Sequence, residues 1–309
     1  MELYINFKLK VKEAIDAGMD TAKAFKQEFS GYQKQLAQPY LTDKSVTENL
    51  IKEAYERMKT DVRASHILIK VSSEALPKDT LASWNKINEI RKRVLKGEDF
   101  GKLAKELSED PSAKDNNGDL GYFTSMRMIY PFECGAYNTP VGEISQPVRT
   151  KFGYHIIKVV DKRPSQGEVK VAHIMIKAMK DSGKQATDAA EAKANEIYAK
   201  LQAGGDFTEL CKQFSDDKSN AKKGGELNWF GSGQMVPEFE TAAFALKNKD
   251  DYSKPVKTDY GWHIIKLSDK KGLPEFKEME GELKQKIAKD SRSQMSRTAV
   301  INKIKAEYK

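Results

Sequence analysis

Two paired stretches decide the fold of this chain: His66-Ile67-Leu68-Ile69 with Gly153-Tyr154-His155-Ile156-Ile157-Lys158, and His173-Ile174-Met175-Ile176 with Gly261-Trp262-His263-Ile264-Ile265-Lys266. They contain all four histidines of the 309-residue sequence. The first members of the two pairs lie 107 residues apart and the second members 108 residues apart. A unit of about a hundred residues therefore occurs twice.

Further motifs between the histidines keep the same offset. Leu107-Ser108-Glu109-Asp110 is matched by Phe214-Ser215-Asp216-Asp217, and Gly118-Asp119-Leu120-Gly121-Tyr122-Phe123 by Gly225-Glu226-Leu227-Asn228-Trp229-Phe230. A repeat of this length can bury a core of its own. We therefore predict four parts: a helical segment at 1–60, a first repeat at 61–164, a second repeat at 167–271 and a helical segment at 273–309.

Composition narrows the classes of function. The chain has 32% charged residues and a net charge of +8, and it has no apolar run near 18 residues. A membrane span is therefore not expected. The basic residues alternate with acidic ones along the chain, so we expect no nucleic-acid partner. A helical pattern begins directly after Met1 without a capping residue, and we therefore expect this sequence to be a fragment of a longer chain.

Periodicity predicts which elements each repeat contains. Alternation from Val62 to Val71 indicates a strand that carries His66 on one face and isoleucines on the other. A helix is predicted from Leu81 to Leu95, and a second strand from Tyr154 to Val160 carries His155. The front and tail segments show helical spacing throughout, with Ser45 or Thr47 able to cap a helix in the front segment. The sequence thus predicts an α+β protein with helical ends.

Metal and hydrolase chemistry are not favoured by these residues. Zinc sites need three or four ligands, and the histidine pairs have no third ligand at a fixed spacing. Cys134 and Cys211 do not occupy matching positions, so neither a disulfide nor a repeated nucleophile is expected. Ser108 and Ser215 do recur, but without a Gly-x-Ser-x-Gly context. We therefore expect no metal and no cofactor.

Two interpretations of the recurring residues stay open at this point. The histidine pairs, with Thr150 and Thr258 five residues before the second histidine, can simply satisfy buried polar groups within a sheet. The recurring apolar residues can be ordinary core, or they can line an exposed pocket for a small ring. These residues are Leu120, Met128 and Phe132 in the first repeat, and Leu227, Met235 and Phe239 in the second.

The motifs in order resemble the parvulin family of peptidyl-prolyl cis/trans isomerases. They are His-Ile-Leu-Ile, Gly-Asp-Leu-Gly-Tyr-Phe, Met-x-x-Pro-Phe-Glu and Phe-Gly-Tyr-His-Ile-Ile-Lys-Val, and the resemblance covers both repeats, about two-thirds of the chain. It implies two domains, each a small antiparallel sheet wrapped by about four helices. It also implies two facing histidines, a nearby aspartate and an apolar pocket for a proline ring.

Carried over by position, the resemblance implies two sets of site residues. The polar network would consist of His66, Asp110, Thr150 and His155 in the first repeat, and of His173, Asp217, Thr258 and His263 in the second. The proline pockets would consist of Leu120, Met128, Phe132 and Phe152, and of Leu227, Met235, Phe239 and Tyr260. The second repeat departs from the pattern at Asn228, and the first at Thr124-Ser125-Met126-Arg127. In related tandem parvulins one domain can be inactive.

The order of the segments resembles bacterial envelope foldases of the periplasmic survival-protein and lipoprotein-foldase types. In such proteins the front and tail helices pack together as a chaperone module for unfolded chains. The resemblance implies a prolyl isomerase in the periplasm or cell envelope, with a signal peptide missing here and with outer-membrane or secreted proteins as clients. The alternative is a non-catalytic holdase in which the repeats only bind extended peptides.

Overall fold

The computed structural model describes residues 2–37, 40–179 and 181–308. The chain divides into two compact units, Met1–Ile51 with Lys284–Lys309, and Lys52–Leu283. Both repeats lie in the second unit. Within the described residues, no helix has the length and apolar character needed to cross a membrane, and no cluster of three or more His, Cys, Asp or Glu side chains is arranged to hold a metal ion.

The described elements follow the order that the sequence predicts. The front helices are α1 (Glu2–Asp16), α2 (Lys23–Ala37) and α3 (Lys44–Met58). The first repeat contains β1 (Thr60–Lys70), α4 (Pro77–Leu95), α5 (Phe100–Leu107), α6 (Ala113–Asn116), β2 (Asp119–Phe123), α7 (Tyr130–Asn138), β3 (Val148–Thr150) and β4 (Gly153–Pro164). The second repeat contains β5 (Glu168–Lys177), α8 (Lys184–Gln202), α9 (Phe207–Phe214), β6 (Phe230–Gly231), α10 (Pro237–Ala245), β7 (Val256–Thr258) and β8 (Gly261–Lys271). The tail helices are α11 (Phe276–Lys289) and α12 (Ser293–Glu307).

Each repeat forms one four-stranded antiparallel sheet, in the order β2-β1-β4-β3 and β6-β5-β8-β7. The two long strands of each sheet carry the histidines at its centre. The predicted α+β class is therefore confirmed, with two small antiparallel sheets and helical segments at both ends.

The two faces of the first sheet bury different cores. Ile67 and Ile69 pack with α4 and α5. Ala64 and Ile157 pack on the other face with Phe132 of α7. Side chains alternate between the faces of a strand, so the face that carries the histidines is the one covered by α7. The second sheet repeats this division with α8 and α9 on one face and α10 on the other.

Local signals in the sequence differ from the structure at several element boundaries, including the start of α4 and the cap of α3. Helix α4 begins at Pro77, four residues before the predicted start, because proline fits the first helical turn. Helix α3 is capped by Asp43 rather than by Ser45 or Thr47, since the Asp43 carboxylate accepts hydrogen bonds from the backbone N–H groups of Ser45 and Val46.

In the first unit, the start of α3 is tied to α12. Thr47 Oγ1 and Ser296 Oγ lie 3.0 Å apart, and Ser296 Oγ donates to the backbone oxygen of Asp43 at 2.8 Å. The side chain of Lys303 also donates to the Asp43 carboxylate and lowers its pKa. In contrast, α1 and α2 contain no buried residue.

Candidate active site

Strands β1 and β4 bring two histidines together in the first repeat. The register pairs His66 with Ile157 and Leu68 with His155, so the two histidines are diagonal neighbours on one face of the sheet. Their Nδ1 atoms lie 3.2 Å apart, and both side chains are buried. A spacing of 89 residues in sequence thus becomes a direct contact.

The histidine contact belongs to a longer polar chain. His66 Nε2 lies 2.9 Å from Asp110 Oδ2, and His155 Nε2 lies 2.8 Å from Thr150 Oγ1. The Thr150 hydroxyl in turn accepts the backbone N–H of Phe152 at 3.1 Å.

One arrangement of protons gives the contacts between Thr150, His155 and His66 one donor and one acceptor each. Thr150 donates to Nε2 of His155, Nδ1–H of His155 donates to Nδ1 of His66, and Nε2–H of His66 points towards Asp110. We assign these tautomers from the network, in which each ring nitrogen either donates or accepts. Both rings are then neutral, and the Asp110 carboxylate supplies the negative charge at one end of the chain.

The pKa values agree with neutral histidines. Burial, followed by the neighbouring His66, lowers the pKa of His155 to about 3, although Asp110 acts in the opposite direction. Burial also lowers the pKa of His66, against the opposing effect of Asp110. At neutral pH the imidazoles therefore act as fixed dipoles and not as cations.

Asp110 is held by the loop that follows α5. Its Oδ1 accepts the backbone N–H and the hydroxyl of Ser112, both at 2.9 Å. Burial raises the pKa of Asp110, but these hydrogen bonds and the nearby His66 outweigh burial and hold the pKa below its usual value. Although Oδ2 is close to His66, no aligned hydrogen bond reaches His66 Nε2 from the described residues. Asp110 and His66 are therefore in electrostatic contact at this oxygen.

A cavity of about 800 Å³ opens over this network. Phe132 forms its buried floor and sets its ring edge-on to both histidine rings, at centroid distances of 5.5 and 5.4 Å. Phe152 is 51% exposed and lies at the cavity wall. Seven of the eight residues predicted for the first site line the cavity: His66, Asp110, Leu120, Met128, Phe132, Phe152 and His155. Thr150 is the eighth, and its hydroxyl contacts His155 Nε2 at 2.8 Å.

The second repeat builds the same polar chain with β5 and β8. His173 and His263 have Nδ1 atoms 3.3 Å apart. His173 Nε2 lies 3.0 Å from Asp217 Oδ2, and His263 Nε2 lies 2.9 Å from Thr258 Oγ1. Burial, and next His173, lowers the pKa of His263 to about 4, and burial likewise lowers the pKa of His173.

The four apolar residues predicted for the second site differ in their surroundings. Phe239 is buried and edge-on to both imidazoles, at 5.7 and 5.4 Å between centroids. Leu227 and Met235 pack against the cluster that contains Phe239, and Tyr260 is 52% exposed. These residues are thus partly core, as one of the two open interpretations held.

Two residues of the second site were missed from the sequence. Asn220 Nδ2 donates to Asp217 Oδ2 at 2.8 Å, and Cys211 Sγ lies 3.4 Å from the backbone oxygen of His173. The first repeat has Ala113 and Ala104 at the matching positions. The sequence does contain a sign of both residues, because each is a polar residue of the second repeat that aligns with an alanine of the first repeat. Burial raises the pKa of the Cys211 thiol.

Comparison with known proteins identifies the domains. The family model of the PPIC-type peptidyl-prolyl isomerase domain matches residues 49–163 and 161–271. The predicted boundaries at 61–164 and 167–271 stay predictions. Chaperone SurA of Alcanivorax borkumensis is 35% identical over 235 residues, which cover 74% of this chain and 53% of the relative. Chaperone SurA of Pseudomonas syringae pv. tomato is 33% identical over 217 residues, which cover 68% and 50%.

The chain therefore spans about half the length of the curated relatives it matches. Among solved structures, the peptidylprolyl isomerase PrsA of Bacillus anthracis is 34% identical, with 45% of this chain and 61% of that chain covered and a TM-score of 0.32. The parvulin NmPin of Nitrosopumilus maritimus is 42% identical, with 33% and 97% covered and a TM-score of 0.26. Because the family model matches both repeats, and so most of the chain, this protein belongs to the PPIC-type, or parvulin, family of peptidyl-prolyl cis/trans isomerases.

Proposed function

We propose that this protein is a peptidyl-prolyl cis/trans isomerase that acts on Xaa-Pro bonds of unfolded client proteins and has chaperone activity in the cell envelope. The observation that carries the proposal is the first-repeat cavity, where an apolar wall for a proline ring adjoins a buried polar network. The reaction breaks no covalent bond and needs no cofactor. It requires only that the twisted amide be bound better than the planar one.

The barrier to rotation defines what the site must supply. An Xaa-Pro amide isomerises unaided over tens to hundreds of seconds, because twisting the bond removes its resonance and costs about 18 to 20 kcal/mol. Each tenfold acceleration requires lowering that barrier by about 1.4 kcal/mol. A ring held against Leu120, Met128 and Phe132, away from water, places the amide beside the polar chain.

We assign the roles of the polar residues from their charges and contacts. Asp110 is the negative group beside the cavity, and it acts on the charge distribution of the twisting amide. His66 and His155 fix the orientation of the network with support from Thr150, and their lowered pKa values disfavour a role as proton carriers. The same roles fall in the second repeat to His173, Asp217, Thr258 and His263, beside Leu227, Met235, Phe239 and Tyr260.

We place the greater activity in the first repeat. Oδ2 of Asp217 accepts a hydrogen bond from Asn220 and contacts His173, while Oδ1 accepts from Ser219. Alanine replaces that asparagine in the first repeat, so the Asp110 oxygen that faces His66 lacks this donor. A carboxylate with fewer donors exerts a stronger field on a bound amide.

Clients are proposed to be extended or unfolded polypeptides, including outer-membrane or secreted proteins, met in the periplasm or cell envelope. The curated relatives carry the name chaperone. One observation favours the second candidate function, a holdase: α1 and α2 expose large apolar side chains, among them Leu3 at 87% and Leu36 at 73% exposure. Such surfaces bind unfolded chains without catalysis.

Magnetisation-transfer NMR on a short Xaa-Pro peptide tests the isomerase proposal. The full chain should accelerate exchange between the cis and trans forms. Asp110→Asn should lower the rate more than Asp217→Asn, because we place the greater activity in the first repeat. Asp217→Asn is the matched control, since the two substitutions are nearly isosteric and differ only in the site they affect. If the native chain leaves exchange at the uncatalysed rate, the isomerase proposal is wrong and the holdase function takes its place.

A further inference from the structure

A second cavity, of about 750 Å³, lies between the two repeats within the unit Lys52–Leu283. Leu120 lines this inter-repeat groove and also the first-repeat cavity. From the second repeat, Met235 lines the same groove. One residue of each predicted proline pocket is therefore part of a single groove.

Direct contacts between the repeats fix the walls of the inter-repeat groove. Ser232 Oγ donates to Asp61 Oδ2 at 2.6 Å, and both side chains are buried. Within the first repeat, the Arg163 guanidinium lies 3.6 Å above the centre of the Tyr122 ring, and both residues line the groove. The charge-assisted hydrogen bond holds the second repeat against the first, and the cation–π contact stabilises the wall of the groove that the first repeat forms.

The loop that makes these contacts could not be built from the first-repeat sequence. Gly233 has a φ of +78°, and a Cβ atom there would lie 2.9 Å from the backbone oxygen of Tyr122. Glycine is needed because the two backbones approach so closely. The first repeat has Met126 at the matching position, so this docking loop belongs to the second repeat alone.

An extended client chain would continue from the first cavity into this groove. A bound peptide advances about 3.3 Å per residue, so the residues flanking a proline must leave the cavity along one of its walls. Leu120 forms a wall that both cavities share. Beyond it, the groove offers Glu238 and the Arg63–Asp119 ion pair, with 2.6 Å between Nη2 of Arg63 and Oδ2 of Asp119, as polar groups for a peptide backbone.

We propose that one client polypeptide runs from the first-repeat cavity through the inter-repeat groove to the second repeat, so that two Xaa-Pro segments of a single chain are bound at once. This inference rests on the proposed function, because it takes the first cavity to hold proline. Linking two binding segments makes the second contact intramolecular and raises the affinity without any new contact. The preferred clients are thus chains with two suitably spaced prolines.

The test compares labelled peptides that bind the full chain, followed by fluorescence anisotropy. Peptides with two Xaa-Pro segments, separated by about 4, 8 and 12 residues, span about 13, 26 and 40 Å when extended. At one separation we expect affinity at least about tenfold above that of a single-proline peptide of equal length. If the two-proline peptides bind no more tightly than the single-proline peptide at every separation, the proposal is wrong.

A variant that obstructs the groove provides the second arm. Ala245 is exposed and lines the groove, so Ala245→Trp should abolish the gain from the second proline. Ala189→Trp, at an exposed alanine of α8 that is not among the groove residues, is the matched control and should keep the gain. Retention of the full gain in Ala245→Trp would exclude the groove as the path.

Isomerisation of a tetrapeptide, measured in the same preparations, separates this inference from the proposed function. The tetrapeptide is too short to leave the cavity, so Ala245→Trp should isomerise it at the native rate. If the native chain fails to isomerise it, the proposed function fails while the peptide-binding arms still decide the path.

Discussion

The hydrogen bond between Ser232 and Asp61 should be a large single contribution to the stability of the repeat interface. The Asp61 side chain is fully buried, and its Oδ1 has no hydrogen-bond partner among the described residues. Its Oδ2 accepts from Ser232 at 2.6 Å, while Arg163 Nε lies 3.5 Å away without an aligned hydrogen bond. Ser232→Ala would therefore leave a buried carboxyl group with no close donor.

The magnitude follows from what remains after the hydroxyl is removed. A hydrogen bond to a charged group contributes about 1.5 to 3 kcal/mol, and a buried group left unpaired costs the upper part of that range. The first repeat supplies a matched control, since Ser125 is equally buried and donates to Glu133 at 2.9 Å. Glu133 keeps Arg57 at 3.1 Å and the backbone N–H of Met126 at 2.6 Å. Ser125→Ala should thus cost only about 1 kcal/mol.

Urea unfolding followed by tryptophan fluorescence measures both variants. Trp84 reports on the first repeat, and Trp229 and Trp262 report on the second. Ser232→Ala should lower the unfolding midpoint more than Ser125→Ala, and the transitions of the two repeats should separate as the interface weakens. Equal losses in the two variants, or a loss under about 0.5 kcal/mol in Ser232→Ala, would refute the claim that Asp61 depends on this hydroxyl.

Three further outcomes follow from the site. His155 and His263 have folded-state pKa values of about 3 and 4, below the 6.5 of an unfolded histidine. The stability that they contribute is therefore fully present above pH 6.5 and is lost as the pH falls, by up to about 1.4 kcal/mol per pH unit for each histidine. Urea unfolding between pH 7 and about pH 5 measures this loss. Gly118→Ala should destabilise the chain well beyond the roughly 1 to 2 kcal/mol expected for Gly142→Ala. Both glycines have a positive φ, but only at Gly118 would a Cβ atom meet a backbone atom, at 2.5 Å. Thermal unfolding that shows equal losses in the two variants would contradict this. Phe152→Ala should raise KM for an Xaa-Pro peptide, because the ring lines the cavity. The free energy of unfolding should change by less than about 0.5 kcal/mol, because the ring is half exposed. An unchanged KM would show that Phe152 is not part of the site.

The repeat could be predicted because strand periodicity and loop motifs are local. Alternation around His66 assigned the histidine and the isoleucines to opposite faces, and those faces bury the two cores of the first sheet. Asp43, in contrast, was overlooked as a cap because Ser45 and Thr47 carry equally good capping side chains. Only the backbone conformation selects among such neighbours.

The partners of the site histidines required the register of the strands. Sequence motifs placed Asp110 and Thr150 near the site by resemblance, whereas the order of donors and acceptors depends on His66 lying diagonal to His155. Asn220 was missed because a short polar side chain in a loop is usually solvated, and nothing local shows that it reaches Asp217.

By itself, then, the sequence determined that the chain contains two parvulin-type repeats with helical ends, because hydrophobic periodicity and motif order are properties of neighbouring residues. Only the tertiary structure decided how the repeats meet. The Ser232–Asp61 hydrogen bond joins residues 171 positions apart, and Leu120 and Met235 come to line one groove. Contacts between such distant residues depend on how two finished domains pack, and no local pattern of residues specifies that packing.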